Sequence, residues 1–570
     1  MKETTFVNKT FYAMLVPTIF MNLVTCVSSA ADTIIVGNFL GEDALAAVTF
    51  SIPVYMIINT IASLLAVGGV TALGNALGRG EKAKADEIFS SSMIFALLIS
   101  ALMTVAGAAF MGPIVGILGA QQEKIAGLTR DYSIVVFYMT FAFIINISVA
   151  FFVRGDGRPT LAMWAMITSI IVNIALDIIF IAYMGMGIAG AAWATGISQA
   201  ASALMMSAHF FTAKNTLRFI RKLPFENAAL IFKSGAGTSL HFVYQFLTIL
   251  FLNNLIMRIS GEDGIVVFTV VINVSTIALS IFEGLSQTVQ PMFSVYYGEN
   301  DHGAINETMK LCARMTLILG LSVTVLLELF PYPLIKAFGV INPRLAADSA
   351  SAIRIFSVSI VVMTFNAVMG YFYQSTERGT LAAVIVALRN FVMLLLGAVL
   401  FGHLLGINGI WCAYMFAEAT TLAIWLAYAF YSGRRIGRGI LLLPPEGKIY
   451  SFALSGELRE NLLNDMKAFL DEARAGGDLS AAMTSAVREF TAYLKNEGGF
   501  KRAEIRIAAP DSDVISLIIR DDGQLLDQSL FDPGESAAAN EKGDLSFIRQ
   551  TAMSFEYGAV LGVNRLLVKY

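Results

Sequence analysis

Gly41-Glu42-Asp43 opens a long apolar segment, and 220 residues later Gly261-Glu262-Asp263 opens another. The displacement persists outward from these triplets. Gly78 recurs as Gly298, and Thr160-Leu161 recurs as Thr380-Leu381. Gly187-Ile188-x-Gly190 returns one residue out of step as Gly406-Ile407-x-Gly409. An offset held over this length means one unit written twice. Both copies consist of long apolar segments, so the chain reads as a membrane protein with two equivalent lobes. That architecture places a substrate site between the repeats and points to transport.

Composition agrees. Of 570 residues, 56% are apolar and 14% charged, with a net charge of −3; a soluble chain carries roughly 25% charged residues. Mean hydropathy is +0.69. Residues 1–438 hold 25 of the 39 Lys and Arg, and the last 132 residues hold 14, which separates a large membrane part from a small polar one. Cys26, Cys312 and Cys412 are odd in number, fit no metal spacing and read as small core residues. The apolar run that begins after Lys9 continues through Val36. That is too long for a cleaved leader.

A transmembrane helix needs roughly 20 apolar residues. Spans are expected near 11–37, 45–77, 88–112, 131–153, 160–183 and 188–212, and again near 231–257, 265–297, 310–332, 350–374, 381–403 and 408–432. The expected fold is therefore an all-α polytopic membrane protein of twelve helices in two six-helix lobes (1–212 and 231–432), related as parallel repeats. The lobes are joined by an amphipathic linker (213–230), and a basic linker (433–449) leads to a small α/β domain (450–570). Lys and Arg in the loops set orientation. With the N-terminus inside, the inner loops and span ends collect 19 of these residues and the outer ones 6. Both termini are thus expected in the cytoplasm of a cell that carries this chain in its plasma membrane.

Ionisable groups inside a span are costly and mark function by default. Asp32 and Asp177 fall in the outer half of the first lobe. Asn173 precedes Asp177 by one helical turn, and Thr195 and Tyr132 reach the same depth from neighbouring spans. Two buried carboxylates side by side can hold a proton near neutral pH, and the same oxygens can ligate Na⁺. The plainer reading is that each aspartate is capped locally or snorkels to the interface. The repeat-equivalent positions are Leu252 and, for Asp177, Leu396 or Gly397, so the pair belongs to one lobe alone. In the second lobe Glu283 and Arg389 are expected at one depth in the inner half and are read as an ion pair or a shared polar network. Glu418 is a further partner, and a structural role outweighs a transport role for the group.

These residues resemble the multidrug and toxic compound extrusion family over about 11–432. Asp32-Thr33-x-x-Val36-Gly37 resembles its first-helix signature, and Gly78-Arg79-Gly80-Glu81 with Ala85 resembles the segment after its second helix. Asn173-x-x-x-Asp177 resembles its fifth helix, and Gln287-x-x-Gln290-Pro291 with Gly298 resembles the matching region of the second lobe. The resemblance implies an antiporter of amphipathic or cationic drugs or metabolites driven by H⁺ or Na⁺, not an enzyme. It also implies that Asp32, Tyr132, Asn173, Asp177 and Thr195 surround the coupling cation. Branches with an acidic site in the seventh and tenth helices differ from this chain, because 231–257 and 350–374 contain no Asp or Glu.

The tail changes character. Leu458–Ala473 and Leu479–Lys495 read as amphipathic helices, and Ala503–Ala508, Val514–Arg520 and Arg565–Val568 alternate like strands. It resembles the histidine-kinase-like ATPase fold of anti-sigma-factor kinases. Asp521-x-Gly523 resembles the adenine-contacting strand end, Gly543-x-Leu545 the lid, and Asn564 the last hairpin. In that family a Glu is followed four residues later by an Asn that holds Mg²⁺; here Glu489 is followed by Tyr493. Leu525 replaces a second glycine. The resemblance therefore implies a degenerate domain that binds a partner protein or, residually, an adenine nucleotide, or that is kept for stability. Two other functions stand beside antiport: a flippase for lipid-linked saccharides, and a membrane sensor that signals through its tail.

Overall fold

The computed structural model describes residues 5–118, 123–212, 215–220, 225–338, 340, 342–435, 441, 443, 448–454, 460–473, 477–495, 502–509, 515–526 and 545–570. Helices α1 (Phe6–Leu40), α2 (Glu42–Gly78) and α3 (Lys82–Ala109) open the chain, and the short α4 (Met111–Leu118) follows. Next come α5 (Glu123–Tyr138) with α6 (Thr140–Gly155), then α7 (Pro159–Asp177) and α8 (Gly187–Ser207). The second copy runs through α9 (Ala228–Ser239), α10 (His241–Gly298), α11 (His302–Leu329), the short α12 (Pro331–Ala337), α13 (Pro343–Ser357) with α14 (Ile360–Ser375), α15 (Gly379–Ala387), α16 (Met393–Leu405) and α17 (Ile407–Arg435). Eight helices among the described residues are long and apolar enough to cross a membrane, or ten if each of two bent pairs counts as one span. The bends lie between α5 and α6 (49°) and between α13 and α14 (47°), at equivalent places in the two copies.

The repeated sequence marks repeated geometry. Gly41 sits at φ 83° between α1 and α2, and Gly261 sits at φ 63° and breaks α10. Left-handed backbone is open to glycine and strained for most other residues, so the twice-written Gly-Glu-Asp is the turn that starts a span in each lobe. Where the copies diverge the turn is kept: Gly157 at φ 79° becomes Glu377 at φ 61°. Short π-helical segments follow α7 (Ile178–Tyr183) and α15 (Leu388–Val392), beginning beside Asp177 and containing Arg389. Such wide turns frequently occur at functional sites.

Each lobe has its own apolar core. Ile58, Phe89, Val136 and Phe152 belong to the first, and Phe268, Phe282, Phe356 and Trp411 to the second. The start of α1 (Phe11, Met14, Leu15) packs instead with Phe293, Phe372 and Trp425. Pro17 lies just beyond this contact. Cys312 is buried, Cys26 and Cys412 are half-buried, and all three are free. The described part of the linker, 215–220, is extended. It is held to α3, where Asp86 and the Ser90 hydroxyl accept the amides of Arg218 and Ile220. The rest of its basic cluster, Lys214, Arg221 and Lys222, lies outside the described residues, as does Arg438 of the second linker.

The lobes meet through α2 and the second half of α10. At one end of the bundle their backbones touch: a Cβ on Gly78 would lie 2.2 Å from the Val295 carbonyl and 2.8 Å from Gly298 Cα. Gly112 has open space at the same test. Gly78→Ala should therefore cost about 1–3 kcal/mol through forced separation, and Gly112→Ala should cost nothing. Thermal unfolding of the two variants in detergent checks the contrast.

A five-stranded antiparallel sheet covers this end of the bundle, in the order β1-β2-β3-β5-β4. Its strands are β1 (Lys448–Leu454), β2 (Ala503–Ala509), β3 (Ser516–Asp521), β4 (Ser554–Val560) and β5 (Val563–Lys569). One face is apolar (Ile505, Ile507, Leu517, Ile519, Leu566, Val568) and packs on helices Glu460–Glu472 and Gly477–Tyr493. The first tail helix falls within its expected range, and the second begins at Gly477, two residues before the expected Leu479. Strand β1 begins inside the expected basic linker, and neither β1 nor β4 was expected.

Candidate functional site

Three polar clusters lie among the helices. The first gathers the residues singled out in the first lobe. Asp177, at the end of α7, is fully buried, and Asn173 one turn earlier is 2% exposed. Asp32 is half-buried on α1, and its carboxyl lies beside that of Asp177. Neither oxygen of Asp177 nor Oδ1 of Asp32 meets a hydrogen-bond donor among the described residues. Asn173 Nδ2 donates to Thr195 Oγ1 at 3.5 Å, and Thr195 Oγ1 donates in turn to the Ala191 carbonyl. Tyr132 is buried, and its hydroxyl lies 3.1 Å from that of Tyr55. Both phenols lie within electrostatic reach of the carboxyl pair. Tyr55 went unread in the sequence because it lies deep in a long apolar run of α2. A lone phenol there looks like packing until α5 brings Tyr132 against it.

A buried carboxylate without a donor is unfavourable by several kcal/mol unless a proton or a cation neutralises it. The chemistry of the arrangement suits a small cation: two carboxyls lie side by side near an amide, a hydroxyl and two phenols, and three carboxyl oxygens are without a donor among the described residues.

The second cluster bridges the lobes. Arg154 of α6, which the loop count placed among the orienting charges, is 3% exposed and donates from Nη1 to Gln287 Oε1 at 2.7 Å. Asn22 of α1 donates to the same oxygen at 3.4 Å, and Gln287 Nε2 donates to Glu283 Oε1 at 3.2 Å. The Tyr371 hydroxyl also donates to Glu283. One turn on, Gln290 donates to Thr71 Oγ1 (2.9 Å) and to the Val67 carbonyl (3.2 Å) on α2.

The third cluster bears out Glu418 as a partner of Arg389 and corrects the direct ion pair expected between Arg389 and Glu283. Arg389 pairs with Glu418, not with Glu283: Nε and Nη2 reach Glu418 Oε1 at 3.0 and 2.9 Å. Asn366 donates to Glu418 Oε2 at 2.7 Å, and Trp425 Nε1 donates to Asn366 Oδ1 at 2.9 Å. Glu283 and Arg389 share a depth, but Glu283 turns toward the lobe interface and Arg389 into the core of its own lobe.

In the tail, Asp521 is 1% exposed. Its Oδ1 accepts from the Gly523 amide and from Asn564 Nδ2, both at 2.9 Å, and its Oδ2 has no donor among the described residues. Burial pushes this carboxyl above its usual range, against the lowering by Asn564 and Gly523. Tyr493 is buried in the core beside Phe490, and Glu489 is exposed. Gly543 and most of the expected lid lie outside the described residues.

The outer face of the same sheet is charged yet buried. Arg506, Arg520 and Arg565 are 6%, 5% and 2% exposed. They meet Glu299 and Asp301 in the turn after α10. Burial alone would raise the Asp301 carboxyl, but Arg506 and Arg520 hold it below its ordinary value.

The MatE family model matches the chain twice, over 17–179 and 237–399, and the second match starts 220 residues after the first. The chain is 22% identical over 431 residues to the multidrug export protein MepA of Staphylococcus haemolyticus, covering 75% of this chain and 94% of that one. It is 23% identical over 339 residues to the probable multidrug resistance protein YoeA of Bacillus subtilis, covering 57% and 72%. A solved structure described as the outward-facing conformation of a multidrug resistance MATE family transporter superposes with a TM-score of 0.70 at 24% identity, covering 76% of this chain and 98% of that one. The doubled match, the repeated turns and the two-lobed bundle agree: this chain belongs to the MatE family of multi-pass membrane transporters.

Proposed function

We propose that the protein is a cation-coupled antiporter that exports amphipathic or cationic drugs or metabolites by alternating access between its lobes. The names of its relatives, a multidrug export protein and a probable multidrug resistance protein, support the substrate class. The observation that carries the coupling is the pair Asp32 and Asp177, with three buried oxygens that no donor reaches among the described residues. Cation entry neutralises the pair and favours one packing of α1 against α7; cation loss leaves like charges together and favours another. A cation with different affinity for the two packings shifts their populations. We read Phe225–Gly298 as two spans divided at Gly261 and α8 as a further span. The bundle then holds twelve helices, with both termini and the tail in the cytoplasm. In the tail, the buried Asp521, whose Oδ2 has no donor among the described residues, supports binding of an adenine nucleotide or a partner protein rather than phosphoryl transfer.

Inside-out vesicles carrying the protein should accumulate a cationic dye when one gradient, ΔpH or ΔNa⁺, is imposed, and not the other. Accumulation that ignores both gradients contradicts the reading.

A further inference from the structure

We infer that the C-terminal sheet is a clamp that holds the cytoplasmic gate between the two lobes shut, and that it must let go of one lobe before the transporter opens inward. The inference rests on the alternating-access reading and on the proposed orientation.

The clamp engages both lobes with single residues. Arg565 donates from Nη1 to Glu299 Oε1 of the second lobe at 2.9 Å and from Nη2 to the Leu77 carbonyl of the first at 2.8 Å. Leu77 and Glu299 flank Gly78 and Gly298, where the helices touch. Parting the helices would pull one of the two acceptors away from the guanidinium. Lys569 adds a bond to the Arg79 carbonyl of the first lobe at 2.8 Å. On the second lobe, Arg506 and Arg520 reach Asp301 at 2.9 and 3.0 Å.

The β4–β5 hairpin makes the same bridge by shape. Its tip, Gly562, lies against Gly157 of the first lobe, where a Cβ on Gly157 would come within 2.2 Å of the Gly562 amide. Its neighbours Val560 and Leu561 pack in the cluster of Phe11 and Phe293, on the second lobe's side of the seam. Outside the sheet, Glu377 of the second lobe holds its left-handed turn while paired with Arg79 of the first.

Energetics decide whether this is a clamp or an ornament. An exposed ion pair contributes little. Arg565 and Glu299 are 2% exposed each. A buried guanidinium that loses an acceptor is disfavoured until water replaces it. Inward opening in the docked state pulls Arg565 from one of its two acceptors, and undocking breaks the contacts of Arg506, Arg520 and Arg565 with Glu299 and Asp301 together. Either way the closed gate is favoured while the sheet is seated.

The test reads the seam rather than transport, so a protein that exports nothing still answers it. Ser294 is fully buried at the seam, its Cβ lying 2.7 Å from where a Cβ on Gly74 would sit. Full-length Ser294→Cys, in a background with Cys26→Ser, Cys312→Ala and Cys412→Ser, would be labelled with a membrane-impermeant maleimide in inside-out vesicles. Adding Arg520→Ala and Arg565→Ala should raise the labelling rate on the order of tenfold. The matched pair Lys467→Ala and Arg488→Ala, on exposed faces of the tail helices, should leave it unchanged. Arg565→Lys keeps the charge and loses the two-pronged grip, so it should give an intermediate rate even if the double alanine variant misfolds. Labelling at the parent rate in Arg565→Lys and in any folded double variant, or an equal rise in the control pair, would overturn the inference.

Discussion

Asp32→Asn should abolish ion-driven export, lowering the initial rate on the order of 100-fold while the protein still inserts and folds. The reason lies in what the site can do with charge. Asp32 and Asp177 are neighbours, and three of their four oxygens are buried with no donor among the described residues, so the pair holds its second negative charge only with help from a cation. An amide at position 32 keeps the shape and removes the second charge. The site then has one stable state where it needs two, and a gradient has nothing to act on. Asp177→Asn should be at least as severe, because Asp177 is fully buried and Asp32 half-exposed. Tyr55→Phe should be milder, since Tyr55 contributes one hydroxyl to Tyr132. Normal gradient-driven efflux in Asp32→Asn would remove the pair from the mechanism.

Glu418→Ala should be the most destabilising single substitution in the second lobe. It leaves the Arg389 guanidinium, 9% exposed, with the Met363 carbonyl as its one remaining acceptor among the described residues, and takes an acceptor from Asn366. Breaking a buried pair from one side costs about 3–5 kcal/mol, enough to lower the yield of folded protein sharply. The double variant Glu418→Ala with Arg389→Met should recover much of the loss, because neither charge is then stranded. Melting of the purified variants in detergent measures both effects. Additive losses would mean that the two residues act separately. The same comparison with Glu283 in place of Glu418 should show no coupling to Arg389, since Glu283 bonds to Tyr371 and Gln287 instead.

The repeat made the fold legible because its strongest conserved positions are conformational: the doubled Gly-Glu-Asp is a doubled left-handed turn at Gly41 and Gly261. Depth in the bundle was legible too, since it follows from counting along a helix. Direction around a helix was not. Glu283 and Arg389 match in depth, but only the packing of α10, α14 and α17 decides that Arg389 meets Glu418. Arg154 misled for a related reason: a cation at a helix end counts toward orientation whether it faces water or, as here, Gln287. In the tail, alternation over Glu504–Ile507 exposed two faces of a strand but not what covers the polar one. Strand β4 was hidden by Glu556 and Gly558, which weaken a strand pattern; Glu556 bonds to Arg565 of the adjacent strand.

The claim that a cation occupies the Asp32–Asp177 pair is tested most directly by its release. Purified protein in weakly buffered detergent, starting from a fixed pH and with a pH-sensitive dye, would be given a cationic substrate, and the same experiment would be run with a Na⁺-sensitive dye. The account predicts release of H⁺ or Na⁺ in proportion to the protein, lost in Asp32→Asn and in Asp177→Asn. Substrate binding that releases neither ion, or release that survives both substitutions, would contradict it.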